Sequence, residues 1–434
     1  MMMTLRSLPR TGLKFLLALL LIPAPASFAG TANLTLDDAL HIAHRQNHDL
    51  RLASIAIASA HAASIMAAAA PNPMLTVQTF GINPHTGIGA GSLRDKTVDS
   101  AVRLDQLIER GDKRALRTQN AAQLEVAAQH DLDDVQRQLG IAVSLAYYDV
   151  LAALEKQTIT RQSAALYDAT VAAAQRRLKA GDLASADVAR LQIDALRAQN
   201  DVVQSGADLA RSREVLALLL GTHDDPAGLI PTDRWPALPF DGRLSAQAMD
   251  ALLARRADVL AAQARVDAAV TARKQALALR TRDVSVGVQF DHYPVSATNT
   301  QGSGNTVGIA LQIPLFARYQ YDGEIRLADS LRDSAEESLA RIRDLARSDL
   351  ARSRADAQAA FERIARYDDG LLAAARKSVD ATEFAFAHGA LGVMDVLDAR
   401  RTWRATQLDA LAARADYAKS LAAWQAATNE RITP

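Results

Sequence analysis

Two kinds of hydrophobic pattern alternate along this chain. In 283–291, Val284, Val286, Val288 and Phe290 oppose Asp283, Ser285, Gln289 and Asp291. In 305–316, Val307, Ile309, Leu311, Ile313 and Leu315 oppose Thr306, Gly308, Ala310 and Gln312. In 97–108, Val98, Val102, Leu104 and Ile108 oppose Asp99, Arg103 and Asp105. Such period-two runs predict strands at about 74–82, 97–108, 283–291 and 305–316. Most of the remainder reads as helix. Two very long helical stretches, about 112–180 and 322–388, are flanked by shorter ones at about 35–70, 182–220, 245–280 and 391–428.

The order of these elements repeats. LTLDDALHIAHRQNHDLRLASIAIASA (34–60) resembles LSAQAMDALLARRADVLAAQARVDAAV (244–270), and LKAGDLASADV (178–188) aligns with FAHGALGVMDV (386–396) without a gap. A fixed internal period marks a duplicated architecture. The expected organisation is a first repeat over 30–221, a linker over 222–243 containing four prolines, and a second repeat over 244–434. A helix of nearly 70 residues spans roughly 100 Å. That is too long for a compact domain, so the helices predict a coiled-coil rod with two short helices stacked end to end beside each long one. Leu132, Val135, Leu139, Val143, Ala146, Val150 and Leu154 form one stripe. The alanines off it allow packing on two sides, as in the wall of a helical barrel. An ordinary antiparallel coiled coil has the same periodicity.

Strands of 9–11 residues match a tilted crossing of an outer membrane. Their alternation is apolar toward lipid and polar toward a lumen. Asp99, Arg103, Asp105, Gln289 and Gln312 are the candidate lumen residues, and Phe80, Phe290, Tyr293, Phe316 and Tyr319 fall near strand ends, where an aromatic girdle sits. A soluble sheet buried on one face alternates in the same way. Four strands cannot close a barrel, and lipid does not tolerate open edges. The chain therefore shares its barrel with further copies, in a number that the strand count alone leaves open.

Composition narrows the classes. Lys and Arg (49) balance Asp and Glu (49), which argues against nucleic acid as a partner. The chain has no cysteine, which excludes disulfides, thiolate metal sites, cysteine nucleophiles and acylation of an N-terminal cysteine. Residues 1–29 read as a signal peptide: Arg6, Arg10 and Lys14 precede the apolar run from Phe15 to Ile22, and Ser27-Phe28-Ala29 supplies the small residues of a cleavage site. No later stretch approaches the roughly 20 apolar residues of a membrane-spanning helix. No constellation points to an enzyme or a cofactor. His41, His44 and His48 recur on one helix face, with metal binding and a solvated polar face as the two readings.

The glycine turns carry the remaining chemistry. Gly181 with Asp182, and Gly389 with Ala390 and Leu391, are expected to reverse the chain at the rod's far end, because glycine takes the positive φ that ends a helix. Asp187 and Asp395 fall in the first turn of each returning helix, where the dipole favours an anion. They either cap those helices or form an acidic aperture that attracts cations. Arg176, Arg177, Lys179 and His388 are candidate gate or partner contacts.

With the duplicated plan, RADV at 256–259, the two tip turns, IPLFARYQYDGEI at 313–325 and ERGDKR at 109–114, the chain resembles the TolC-like outer membrane factor family over nearly its whole mature length, in particular its heavy-metal branch. The resemblance implies a mainly α fold with a small β part. It implies a homotrimer in the outer membrane of a Gram-negative bacterium, with a 12-stranded β-barrel in lipid and a helical tunnel in the periplasm. The implied partners are a periplasmic adaptor and an inner-membrane pump of RND type. The implied role is heavy-metal cation efflux, with a multidrug or type I secretion conduit as the alternative within the family. A soluble periplasmic coiled-coil scaffold is the alternative outside it. Ala257 stands where the family's Arg-Pro-Asp-Leu element has proline. Without an acylation cysteine, anchoring is expected to rest on the barrel, and a tail domain after the last helix is expected to be reduced.

Overall fold

The computed structural model describes residues 33–80, 82, 98–222, 225–238, 240, 242–243, 245–294 and 304–428. The expected signal peptide and most of the two inter-strand loops lie outside the described residues. The strands are β1 (Asn33–Leu34), β2 (Met74–Phe80), β3 (Asp99–Ile108), β4 (Ile230–Pro231), β5 (Val284–Tyr293) and β6 (Gly304–Gln312). The helices are α1 (Leu36–Gln46), α2 (His48–Ala68), α3 (Lys113–Ala180), α4 (Ser185–Leu220), α5 (Ala246–Arg255), α6 (Ala257–Ala278), α7 (Asp322–Arg366), α8 (Leu372–Ala387) and α9 (Val393–Ala427). Helix α3 alone has 68 residues, about 100 Å of rod.

The molecule is a wall four elements wide. The antiparallel sheet runs in the order β2-β3-β5-β6. Beside it the helices pack in the matching order α2, α3, α6, α7, because each is continuous in sequence with its strand. Farther along, α4 replaces α2 beside α3, and α9 replaces α6 between α3 and the α7–α8 stretch. One edge of the wall is therefore β2, α2 and α4. The other is β6, α7 and α8. Large apolar side chains stand exposed on these edge helices, among them Leu52, Ile65 and Met66 of α2, Ile193 and Val203 of α4, and Leu331 of α7.

Several boundaries differ from the sequence expectation, each for a local reason. The stretches 35–70 and 245–280 are not single helices. Asn47 takes an extended conformation (ψ 134°), and its side chain caps α2 by accepting from Asp49 N at 2.8 Å and Leu50 N at 3.3 Å. Arg256 is extended in the same way (ψ 136°), with its guanidinium bound to Asp258. The second long helix is interrupted by a π-turn at Tyr367–Leu371, where Gly370 leaves helical geometry (φ 175°). An inserted residue of this kind bends a helix without proline. Strand β6 ends at Gln312, so Ile313 and Leu315 lie outside the sheet, and Pro314 cannot continue the ladder. Helix α2 is also long and apolar enough to cross a bilayer (21 residues, mean hydropathy 1.4), contrary to the reading that no such stretch follows residue 29.

The densest core sits midway along α3. Val143, Tyr147, Tyr148 and Val150 are buried there against Leu36, Leu216 and Leu220. The proline-rich linker is fastened onto this core. Asp233 accepts from Leu36 N at 2.6 Å and from the Tyr147 hydroxyl at 2.9 Å. Trp235 stacks on Tyr148 and donates its indole N–H to Glu155 at 2.9 Å. Burial pushes both tyrosine hydroxyls well above their ordinary pKa, so they stay neutral.

At the strand-to-helix corner, Gly111 (φ 71°) and Asp112 (φ 57°) turn the chain from β3 into α3. A side chain on Gly111 would meet Thr281 at 2.8 Å. Lys113, nearly buried, reaches Asp283 and the Thr281 carbonyl, both at 2.8 Å, and so binds the first hairpin's corner to the second's.

Candidate functional site

Both helical reversals have the same backbone construction. In the first, Gly181 (φ 88°) ends α3, with Asp182 N bonded to Arg177 O at 2.9 Å and Gly181 N to Leu178 O at 3.0 Å. In the second, Gly389 (φ 75°) ends α8, with Ala390 N bonded to Ala385 O at 2.9 Å and Gly389 N to Phe386 O at 3.1 Å. This paired bonding satisfies carbonyls that a helix end leaves open, and its left-handed residue favours glycine. No atom lies within 4 Å of where a side chain on either glycine would sit, so backbone conformation rather than crowding selects them. Leu391 is exposed beyond the second turn.

The two first-turn aspartates are used differently. Asp395 accepts the backbone N–H of Gly392 at 3.0 Å, one half of a capping box. Asp187 occupies the same position of α4 but faces Arg190 at 3.8 Å instead. Of the four candidate contact residues, Arg177 lies over the Phe386 ring at 5.5 Å and so joins the two tips. His388 donates from Nδ1 to the Phe384 carbonyl at 2.8 Å and packs against the Phe384 ring. Arg176 and Lys179 are exposed on the last turns of α3.

A set of ties between the two hairpins was absent from the sequence reading. Arg401 donates to Asp194, nearly buried, at 2.6 Å, and Arg400 donates to Thr170 at 2.5 Å across the hairpins while also donating to Glu383 of its own hairpin at 2.7 Å. Arg404 pairs with Asp201. Leu183, Val188, Leu191, Val393 and Leu397 pack together just inside the tips. The tying partners lie more than 200 residues apart in sequence, so no local pattern marks them.

The sheet has two chemically distinct faces. Register puts Thr76, Arg103 and Gln289 in one row, Gln78, Ala101 and Asp291 in the next, and Met74, Asp105, Gly287 and Ala310 in a third of the same parity. Asp99 and Gln312 share that parity, so the five residues chosen from sequence fall on one polar face. The opposite face carries Val77, Val102, Phe290 and Val307 in one row and Leu75, Leu104, Val288 and Ile309 in another. Most of these apolar side chains are exposed, Ile309 at 82% and Val307 at 72%. An apolar face without a covering layer is what lipid contact requires. Phe80 and Tyr293 close one end of the sheet, while Phe316 and Tyr319 cluster with Tyr321 beyond the other.

Among the described residues, no group of three or more His, Asp or Glu is set to hold a metal ion. His41 and His44 line a cleft of about 520 Å³ with His130, and His48 is not in its lining.

The model of the family described as outer membrane efflux protein matches residues 39–222 and 248–430. The chain belongs to that family. The two matched segments fall on either side of the linker. It is similar to the cobalt-zinc-cadmium resistance protein CzcC of Cupriavidus metallidurans, with 27% identity covering 85% of this chain and 84% of that one. It is also similar to the pyoverdine export outer membrane protein OpmQ of Pseudomonas putida, with 24% identity covering 86% and 80% of the two chains. Among solved structures, CusC superposes with a TM-score of 0.75 at 17% identity, covering 91% of this chain and 92% of that one. The open state of MtrE from Neisseria gonorrhoeae superposes with a TM-score of 0.72 at 18% identity, covering 94% of each chain. The chain is thus an outer membrane efflux protein, a transport protein rather than an enzyme.

Proposed function

We propose that three copies of this chain close edge to edge into one conduit through periplasm and outer membrane, and that it exports heavy-metal cations. The observation that carries the closed ring is the four-element wall with two unpartnered edges. Its strands and helices keep one lateral order. A head-to-tail contact of β6, α7 and α8 on β2, α2 and α4 pairs both edges at once and closes by rotation. Three copies give 12 strands, with the apolar faces in lipid and the polar faces around the lumen. The exposed apolar side of α2 is covered by the neighbouring copy rather than by lipid.

The tips are the gate and the adaptor-docking end. Three copies of Asp187 around the opening attract cations, while Asp395 holds the second tip in shape. Arg176, Lys179 and His388 remain exposed for a periplasmic adaptor, which links the conduit to an inner-membrane pump of RND type. Opening separates the hairpins by loosening the Arg400, Arg401 and Arg404 ties, with the π-turn at Tyr367–Leu371 as the bend. The metal substrate rests on the likeness to CzcC. The likeness to OpmQ favours an organic cargo as the second reading. The whole assembly is tested by fractionation of cells expressing the chain. Recovery with outer membranes as a heat-modifiable oligomer is expected. Recovery as a soluble periplasmic protein would show it to be a scaffold instead.

A further inference from the structure

The polar face of the sheet contains one cation among its described residues. Arg103 shares it with Asp99, Asp105 and Asp291. The guanidinium is not free. Its Nε donates to both Asp105 carboxylate oxygens at 2.9 and 2.8 Å, and its Nη2 donates to Oδ1 at 2.8 Å. A fork of this kind fixes orientation as well as charge.

The pair occupies a seat. Asp105 stands opposite Gly287 in the β3–β5 register. A side-chain carbon on Gly287 would lie 2.4 Å from Asp105 Oδ1 and 3.2 Å from Arg103 Nε and Nη2. Glycine inside a strand weakens it, and close approach of another group is one reason to keep it there. Here the approaching group is an ion pair lying along the strand surface. Asp291 is held separately, by Gln289 at 2.7 Å.

We propose that the Gly287 seat makes Arg103 a specificity-determining residue of the pore: it keeps this guanidinium folded against Asp105, so that Asp99 and Asp291 dominate the field beside it and small cations pass in preference to anions. The inference rests on the reading of this face as a lumen. It extends selectivity from the tips to the barrel, whose exit is a separate place along the route. Fixed charges lining a narrow aqueous path set such preferences. The effect depends on ionic strength, so low salt shows it best.

The test is the reversal potential of single channels in planar bilayers under a potassium chloride gradient. It is recorded for the full chain and repeated with Arg401→Ala, which removes one of the three ties between the hairpins and so weakens closure of the tips. Arg103→Gln is expected to raise the cation-over-anion permeability ratio by about twofold. Arg103→Lys, which keeps the charge, should stay near the parent value. Gly287→Ala should displace the pair and lower conductance. If that variant fails to assemble, the Arg103 series decides alone. A purely structural role for Arg103 would change heat stability and leave the reversal potential unmoved, and an unmoved potential in both backgrounds overturns the inference. Absence of channels from the parent protein as well would remove the pore reading, and the inference with it.

Discussion

At Gly181 and Gly389 a single backbone requirement explains the residue: both take positive φ, and both end a helix with the same pair of hydrogen bonds. The aspartates that follow are equivalent in position and unequal in use. Asp395 spends its carboxylate on Gly392 N–H, so Asp395→Ala is expected to weaken the second tip by about 1 kcal/mol, read as a lower melting temperature. Asp187 has only the longer contact to Arg190, so Asp187→Ala should cost little stability and should reduce cation preference in single-channel recordings. If closed-state conductance and cation preference are both unchanged in Asp187→Ala, the acidic aperture is wrong at that residue. Their presence in the first turn was legible from spacing alone. Their difference was not, because it depends on which N–H or guanidinium the folded tip brings near.

Between elements, polar ties decide how the coils are joined. Lys156 of α3 donates to Asp208 of α4 at 2.8 Å. With help from Gln204, it holds the Asp208 carboxyl down to about 2. A depressed folded pKa contributes stability that is fully present above the unfolded value of about 4 and lost as pH falls through about 2. Asp208→Asn should therefore melt at a lower temperature than the parent at pH 7, with the gap closing as pH drops from about 4 toward 2. Circular dichroism melts across that range measure it, and a constant gap would contradict it. The pair is only partly buried and remains open to solvent, so the effect is modest and salt-sensitive. Neither helix break was read from the sequence, although one of them has a local mark. Asn47 before Asp49 is a capping pattern in plain sequence. Arg256 has no such local mark, since Ala257 favours continuing the helix and only the buried Arg256–Asp258 pairing interrupts it.

Across the whole molecule, two open edges run the length of sheet and rod together. A ring of three predicts a defined cross-linking limit. Val77 of β2 and Val307 of β6 lie in one row of the sheet, at its two edges. The chain contains no cysteine, so Val77→Cys with Val307→Cys supplies two unique thiols per copy. A flexible bismaleimide should give species of one, two and three chains and nothing larger, while each single variant should give none of the larger species. A ladder continuing past three, or no linkage in isolated outer membranes, would sink the trimer.

The sequence by itself determined the order of the long helices and the four strands of the sheet, the polar and apolar parities of those strands, the length of the first rod and the glycine reversals. All of these are local: period, length and positive φ are properties of neighbouring residues and survive without knowledge of the fold. Only the tertiary structure decided the lateral order of the wall, the fastening of the linker by Asp233 and Trp235, the π-turn at Gly370, the Arg400, Arg401 and Arg404 ties, and the seating of Arg103 and Asp105 over Gly287. Most of these join side chains that are distant in sequence, and the π-turn is a departure from a helix that its own residues allow. A charge or a glycine has many possible partners along the chain, and only packing selects one of them.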